Sequence, residues 1–149
     1  MKPAEAKEII KKKVELLAQL TEGINVNFDE MAISQFRQEF RIVRSFLTFM
    51  RLQRNDKHIK MPETCKHLYH LAGKIKDIAT EIKDNTTDID NTELQMAMQK
   101  VHKDWRKNYS VHTFPKFQSK IVELNYSKLN PDLLDNFFGN IKKSESLED

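Results

Sequence analysis

The sequence contains very little glycine and proline. Of its 149 residues, only three are glycine and four are proline. Tight β-hairpin turns depend on glycine and on other turn-forming residues, so a chain with so few of them is poorly suited to a sheet built from hairpins. This scarcity, together with the helical spacing of the apolar residues, predicts an all-α protein.

Cysteine and long apolar runs are also scarce. The single cysteine, Cys65, excludes an intramolecular disulfide and fits a reducing compartment. No run approaches the roughly 18–20 apolar residues that a membrane-spanning helix requires. The first residues carry charges throughout and lack the apolar centre of a signal peptide. These absences predict a cytoplasmic protein with no membrane partner.

Recognisable catalytic patterns are missing as well. The sequence has no Ser-His-Asp arrangement, no glycine-rich phosphate loop and no paired-carboxylate motif. His67 and His70, at spacing i and i+3, can reach a common metal ion, but no ligand motif accompanies them, and packing or surface roles are favoured. We therefore expect no enzyme activity, no cofactor and no metal site.

The apolar spacing and the capping residues divide the chain into helices. The first is predicted from Pro3 to Glu22, with Gly23 as its stop, and the second, capped by Asn27 or Asp29, reaches Arg54. A third is predicted from Pro62 to Lys83, a loop from Asp84 to Asn91, a fourth helix capped by Asn91 or Thr92, another from Pro115 and a short one after Pro131. This order predicts an antiparallel four-helix bundle with one or two additional short C-terminal helices, forming one domain over 1–141, and a flexible tail over 142–149.

The second helix carries two parallel stripes. One is apolar, and the other consists of arginines at the same spacing: Arg37, Arg41, Arg44 and Arg51. Guanidinium groups keep their charge, and their forked donors match phosphate oxygens. The stripe therefore indicates either an anion-binding flank or a solvated face that forms salt bridges, since acids such as Glu39 lie nearby.

The third helix adds a second basic feature around Gly73. Glycine inside a helix costs about 1 kcal/mol relative to alanine, so a close helix crossing or a ligand would explain it. Lys74 and Lys76 follow, and Asp77 can pair with a neighbouring cation. If the second and third helices are antiparallel neighbours, Lys76 and the arginines converge. The complete predicted polyanion-binding set is Arg37, Arg41, Arg44, Arg51, Lys74 and Lys76.

Two other readings of the motifs stay open. His70-Leu71-Ala72-Gly73-Lys74 resembles the H-x-L-K-G pattern of histidine phosphotransfer domains, with the Leu and Gly one residue early and the Lys after the Gly. Basic residues around Trp105 and Tyr109 leave nucleic acid possible as a partner. Trp105 itself falls on the apolar stripe of the fourth helix and is predicted to be core.

The second helix resembles the signature of the CHAD family, the conserved histidine α-helical domain. Arg37, Arg41 and Arg44 match three of its basic positions, and the stretch from Ala72 to Asp77 resembles its L-G-x-x-R-D-like motif, with Lys76 for the Arg. The family histidine position is Ser34 here, and the second of its adjacent arginines is Ile42. The resemblance covers about residues 31–83.

The resemblance implies a helical fold and a ligand. CHAD domains consist of two similar four-helix bundles around a basic channel and bind inorganic polyphosphate. This chain is long enough for one bundle only, so the resemblance implies a half-size member that pairs as a homodimer. We expect a non-enzymatic protein that binds polyphosphate or another polyanion. The alternatives are a protein–protein interaction scaffold and, less favoured, a histidine phosphotransfer-like domain.

Overall fold

The computed structural model describes residues 1–84 and 91–148, with side chains described as far as Lys143. The secondary structure of this part of the chain is helical, which confirms the predicted all-α class. Its helices are α1 (Pro3–Asn27), α2 (Glu30–Arg54), α3 (Glu63–Asp84), α4 (Thr92–Asn108), α5 (Thr113–Glu123) and α6 (Pro131–Glu148). In the described ranges, no helix is both long enough and apolar enough to cross a membrane.

The first helix is longer than the sequence predicts. Gly23 does not end α1, which continues to Asn27. Ile24 is completely buried, so the extra turn adds to the core face. The helix ends where Phe28 takes a left-handed backbone conformation, with φ 51°, and donates its N–H to the carbonyl of Ile24. Tertiary burial therefore outweighs the low helix propensity of glycine.

The second helix has the predicted bounds, and one of its two candidate caps is confirmed. Asp29 is the N-cap of α2, and its Oδ2 accepts a hydrogen bond of 3.0 Å from the backbone N–H of Ala32. The helix ends at Arg54, after which Asn55 adopts φ 50°. Asparagine tolerates the left-handed conformation better than most residues, which suits this terminus.

The later helices start close to the predicted positions. Helix α3 follows Pro62 directly and ends at Asp84, while residues 85–90 of the predicted loop lie outside the described residues. Asn91 is the N-cap of α4. Helix α5 starts two residues before Pro115, because a proline in a first turn removes no intrahelical hydrogen bond.

The last helix extends beyond the predicted boundary. Helix α6 continues from Ile141 to Glu148, where the sequence predicts a tail, and Asp149 lies outside the described residues. Residues 142–148 contain neither glycine nor proline, and their lysines and glutamates are good helix formers. Local propensity accounts for these extra helical turns.

The core is one cluster shared by all six helices. Helix α1 packs against α2 on one side and against α5 and α6 on the other, while α3 packs against α2, α4 and α5. Trp105 on α4 is fully buried, as predicted, and makes edge contacts with the rings of Phe28 and Phe36. The additional C-terminal helices, α5 and α6, therefore pack on α1 together with α2.

Candidate anion-binding site

Helices α2 and α3 lie side by side in antiparallel directions. Lys83, near the end of α3, forms an ion pair of 2.6 Å with Glu30 at the start of α2. Further along, the rings of Phe40 and Tyr69 stack with centroids 4.4 Å apart and an interplanar angle of 12°. The antiparallel arrangement on which the predicted convergence depends is therefore present.

Three of the predicted arginines meet at Tyr69. The guanidinium carbon of Arg37 lies 5.1 Å from the Tyr69 ring centroid, and that of Arg44 lies 5.0 Å from it. Both distances lie within the range of a cation–π interaction. Arg41 lies one helical turn from Arg37 and hydrogen-bonds to Tyr69. We call Arg37, Arg41 and Arg44 the arginine cluster.

The pKa of the Tyr69 phenol reflects the positive charge of the arginine cluster. Burial by itself raises the pKa of the Tyr69 phenol, because the phenolate loses hydration. The hydrogen bond from Arg41 and the charges of all three arginines oppose burial and outweigh it, so the net effect is a lowered pKa. The site thus favours negative charge at a position where solvent is largely excluded.

Gly73 allows Arg37 to lie close to α3. A Cβ atom at position 73 would be 3.2 Å from Nη2 of Arg37 and 3.4 Å from its Cζ. The first of these distances is shorter than an ordinary van der Waals contact. The glycine predicted to mark a close crossing therefore makes room for a guanidinium group, one turn along α3 from Tyr69.

Acids do not neutralise the cluster within the described part of the chain. None of the salt bridges there includes Arg37, Arg41 or Arg44. Glu39 pairs instead with Lys13 of α1 at 2.8 Å, and Asp77 takes part in no described salt bridge. The buried Nε of Arg37 also has no hydrogen-bond partner. The positive charges of the arginine cluster are therefore not paired with carboxylates of the described residues.

The other predicted residues divide between the site and its surroundings. Lys76 is about 20° around α3 from Tyr69, and it lines a groove of about 140 Å³ together with Ser34, Thr80 and the Glu30–Lys83 ion pair. Lys74 is exposed, about 140° around the helix from Tyr69, so it belongs to another face. Arg51 donates through Nη1 to the carbonyl of Ile59 at 3.5 Å and holds the loop after α2.

Tyr69 was not among the residues selected from the sequence. Its signal was present, because Tyr69, Gly73 and Lys76 follow the i, i+4, i+7 spacing of one helix face. An aromatic residue on such a face is usually a core residue, and Tyr69 is indeed only 7% exposed. Its contact with three arginines depends on the register between α2 and α3.

The predicted histidine features lie outside the cluster. His67 and His70 are both exposed, and the His70 ring lies 5.7 Å from the ring of Tyr69. Over residues 1–84 and 91–148, no group of three or more His, Cys, Asp or Glu side chains could hold a metal ion.

The chain was compared with protein-family models, with curated proteins and with solved structures, and it matches none of them. The candidate site is a cluster of three arginines around a tyrosine whose pKa they lower, with Lys76 nearby on the same face of α3.

Proposed function

We propose that this protein binds inorganic polyphosphate, or a similar phosphate-rich polyanion, along the groove between α2 and α3. The observation that carries the proposal is the convergence of Arg37, Arg41 and Arg44 on Tyr69 without a carboxylate partner among the described residues. If the arginines formed only a solvated surface, bringing them together would cost free energy, because like charges repel one another. An anionic ligand removes that repulsion.

The dimensions of the groove favour a linear anion. Arg37 and Arg44 are seven residues apart, which is about 10.5 Å along the helix axis. Past Arg37, toward the start of α2, Lys76 lies in the wall of the groove of about 140 Å³, which the arginine cluster itself does not line. A chain of phosphates lying along α2 would contact the arginines first and Lys76 next. The resemblance to CHAD domains, which bind polyphosphate, suggests the same ligand.

The proposal includes a homodimer. A second copy placed with its own arginine cluster facing the first would build a two-sided basic channel from two single bundles. Light scattering over a range of protein concentrations, with and without long-chain polyphosphate, tests this part. A monomer at every concentration and with every ligand amount would remove the dimer and leave the single groove.

The decisive experiment replaces Arg41 and Arg44 together by alanine. We expect the affinity for long-chain polyphosphate, measured by calorimetry, to fall roughly tenfold or more, because each lost charge-assisted contact contributes at least about 1 kcal/mol. The wild-type affinity should decrease steeply with salt, and the variant should show a smaller salt dependence.

The matched control removes two positive charges from a surface outside the arginine cluster. Lys103 and Lys107 are exposed on α4, so replacing both by alanine should leave the affinity nearly unchanged. Single-stranded DNA at the same salt concentrations separates polyphosphate from nucleic acid as the ligand. If the Arg41 and Arg44 variant binds polyphosphate as tightly as the wild type, the site assignment fails.

A protein-interaction scaffold is the second candidate function. Val26 and Met31 lie on either side of the α1–α2 turn and are 73% and 81% exposed. Exposed apolar side chains of this size favour contact with another protein surface. In this case Met31→Ser should abolish partner binding and leave polyphosphate binding intact.

A further inference from the structure

A second basic cleft lies at the other end of α3, beside α5. It consists of two cavities that share Pro62, Phe117 and Lys120 in their walls. The larger has a volume of about 260 Å³ and the smaller about 200 Å³. We call the pair the α5 cleft. No residue of the arginine cluster lines either cavity.

The larger cavity is mainly apolar. Leu47, Ile59, Ile121 and Leu124 line it, together with Phe117. Apart from Leu124, these side chains belong to the buried core, so the cavity exposes the outer edge of the core between α2 and α5. Binding of an apolar ligand group here is favourable, because it removes apolar surface from water.

The smaller cavity presents hydrogen-bond donors and positive charge. The residues that line it include Thr64, Thr113, Lys116 and Lys120, whose side chains carry hydroxyl and ammonium groups. The two threonines lie in the first turns of α3 and α5, where the helix dipole also favours negative charge. His112 contributes an imidazole to the same wall.

Within the described residues, Lys116 and Lys120 form no ion pair with an acid. Neither cavity has an aspartate or a glutamate in its lining. The nearby Glu63 pairs with Lys66 at 2.7 Å. Lysines held together without acids repel one another, and a bound anion offsets that repulsion.

The position of Lys120 agrees with this arrangement. Burial raises the pKa of the Cys65 thiol to about 12, and hydrogen bonding with Thr64 and the positive charge of Lys120 act in the opposite direction. The ammonium group of Lys120 is therefore close enough to the start of α3 to influence it. Lys120 lines both cavities, as does Phe117.

We infer that the α5 cleft binds a small organic phosphate monoester, with its phosphate at Thr64, Lys116 and Lys120 and its apolar group against Phe117 and Leu124. The two cavities share Pro62, Phe117 and Lys120 in their walls, and the proposed ligand would occupy both of them. A phosphate without an apolar group fills only the basic half. This site is independent of the polyanion groove on α2, and neither proposal requires the other.

Phenyl phosphate is a suitable probe, because its ring and its phosphate match the two halves. In calorimetric titrations we expect it to bind roughly fivefold or more tightly than inorganic phosphate, since the ring removes apolar surface from water. The double variant Lys116→Ala with Lys120→Ala should lose this binding. Both lysines are exposed, so the fold should remain intact, which circular dichroism can verify.

Two matched variants make the result specific. Lys103→Ala with Lys107→Ala removes the same charge from α4 and should leave phenyl phosphate binding unchanged. Arg41→Ala with Arg44→Ala should also leave it unchanged while weakening polyphosphate binding, so the two sites succeed or fail separately. Equal affinity for phenyl phosphate and inorganic phosphate would overturn the inference, as would undiminished binding to the lysine variant. Tighter binding of a phosphotyrosine peptide would overturn the small-molecule assignment.

Discussion

At the scale of single residues, Gly73 and Tyr69 explain how arginines can gather on one helix pair. The absent side chain of Gly73 lets the guanidinium of Arg37 approach α3, and the ring of Tyr69 offers a face to Arg37 and Arg44. Cation–π contacts stabilise the cluster by about 0.5–1 kcal/mol each at exposed sites and more where water is excluded. These contacts hold the arginines in place without neutralising them.

The close approach at Gly73 has a direct consequence. In Gly73→Ala, the new Cβ would lie 3.2 Å from Nη2 of Arg37, so the guanidinium must move. We expect polyphosphate affinity to fall several-fold. The melting temperature should stay the same or rise slightly, because alanine is better than glycine in a helix by about 1 kcal/mol. Calorimetry and thermal unfolding measure the two effects.

Gly139 provides the control for that variant. It lies in α6, and a Cβ atom there meets nothing within 4 Å. Gly139→Ala should therefore raise the stability by up to about 1 kcal/mol and leave the affinity unchanged. Equal affinities for the two alanine variants would show that the position of Arg37 has no importance for binding.

The titration of Tyr69 is a second test at this scale. Arg41 hydrogen-bonds to the phenol and lowers its pKa, so Arg41→Ala should raise the pKa. Saturating polyphosphate should also raise it, because a bound anion disfavours the phenolate. NMR of the tyrosine ring carbons as a function of pH measures both changes. A Tyr69 pKa that is the same with and without ligand would contradict the placement of the anion beside this ring.

At the scale of elements, α2 is the helix that both the core and the site depend on. One face buries Phe36, Phe40 and Phe46, and the neighbouring face carries the arginine cluster. The helix starts at an N-cap whose side chain satisfies a backbone donor. Because the cap sets where α2 begins, it also stabilises the helical turns that present the arginines.

The caps of α2 and α4 should respond differently to mutation. Asp29→Ala removes the hydrogen bond to Ala32 and should cost about 1 kcal/mol in the free energy of unfolding. Asn91→Ala should cost only a few tenths of that, since the Asn91 side chain makes no capping hydrogen bond. Urea denaturation measures both. Equal losses would contradict the assigned capping geometry.

At the scale of the whole molecule, helices α1, α2 and α4 meet at Trp105 and Phe28. The ring of Phe28 stacks on His102 with centroids 3.8 Å apart, and the guanidinium carbon of Arg106 lies over the Phe28 ring, 4.7 Å from its centroid. Burial lowers the pKa of His102, and the charge of Arg106 lowers it further. The folded protein therefore favours the neutral imidazole.

This shift makes stability depend on pH. In the unfolded chain the pKa of His102 is about 6.5, so the unfolded state binds a proton at His102 more readily than the folded state does. The stabilising contribution of His102 is thus present above about pH 6.5 and is lost as the pH falls through the lower pKa of the folded state. His102→Phe keeps a ring on Phe28 and removes the titration.

We therefore expect the free energy of unfolding of His102→Phe to fall less between pH 7.5 and 5 than that of the wild type. Urea denaturation at each pH measures the difference. His67→Gln, which changes an exposed histidine on α3, should keep the wild-type dependence. An identical pH dependence in His102→Phe and the wild type would refute the role of His102.

The amino-acid sequence alone determined the helical class, most helix boundaries and the arginine stripe. These properties follow from local chemistry: the spacing of apolar residues, the capping residue Asp29, and the prolines at the starts of helices. Local signals failed at Gly23 because the burial of Ile24, a long-range effect, extends α1 by a turn.

Only the tertiary structure decided which residues form a site. Arg37, Arg41 and Arg44 were predictable as one stripe, but their contact with Tyr69 depends on how far α2 and α3 are displaced along each other. The same displacement directs Lys76 into the groove, while its neighbour Lys74 lies on another face. Helix periodicity specifies which face a residue occupies. The packing of large side chains such as Phe40 against Tyr69 specifies what that face meets.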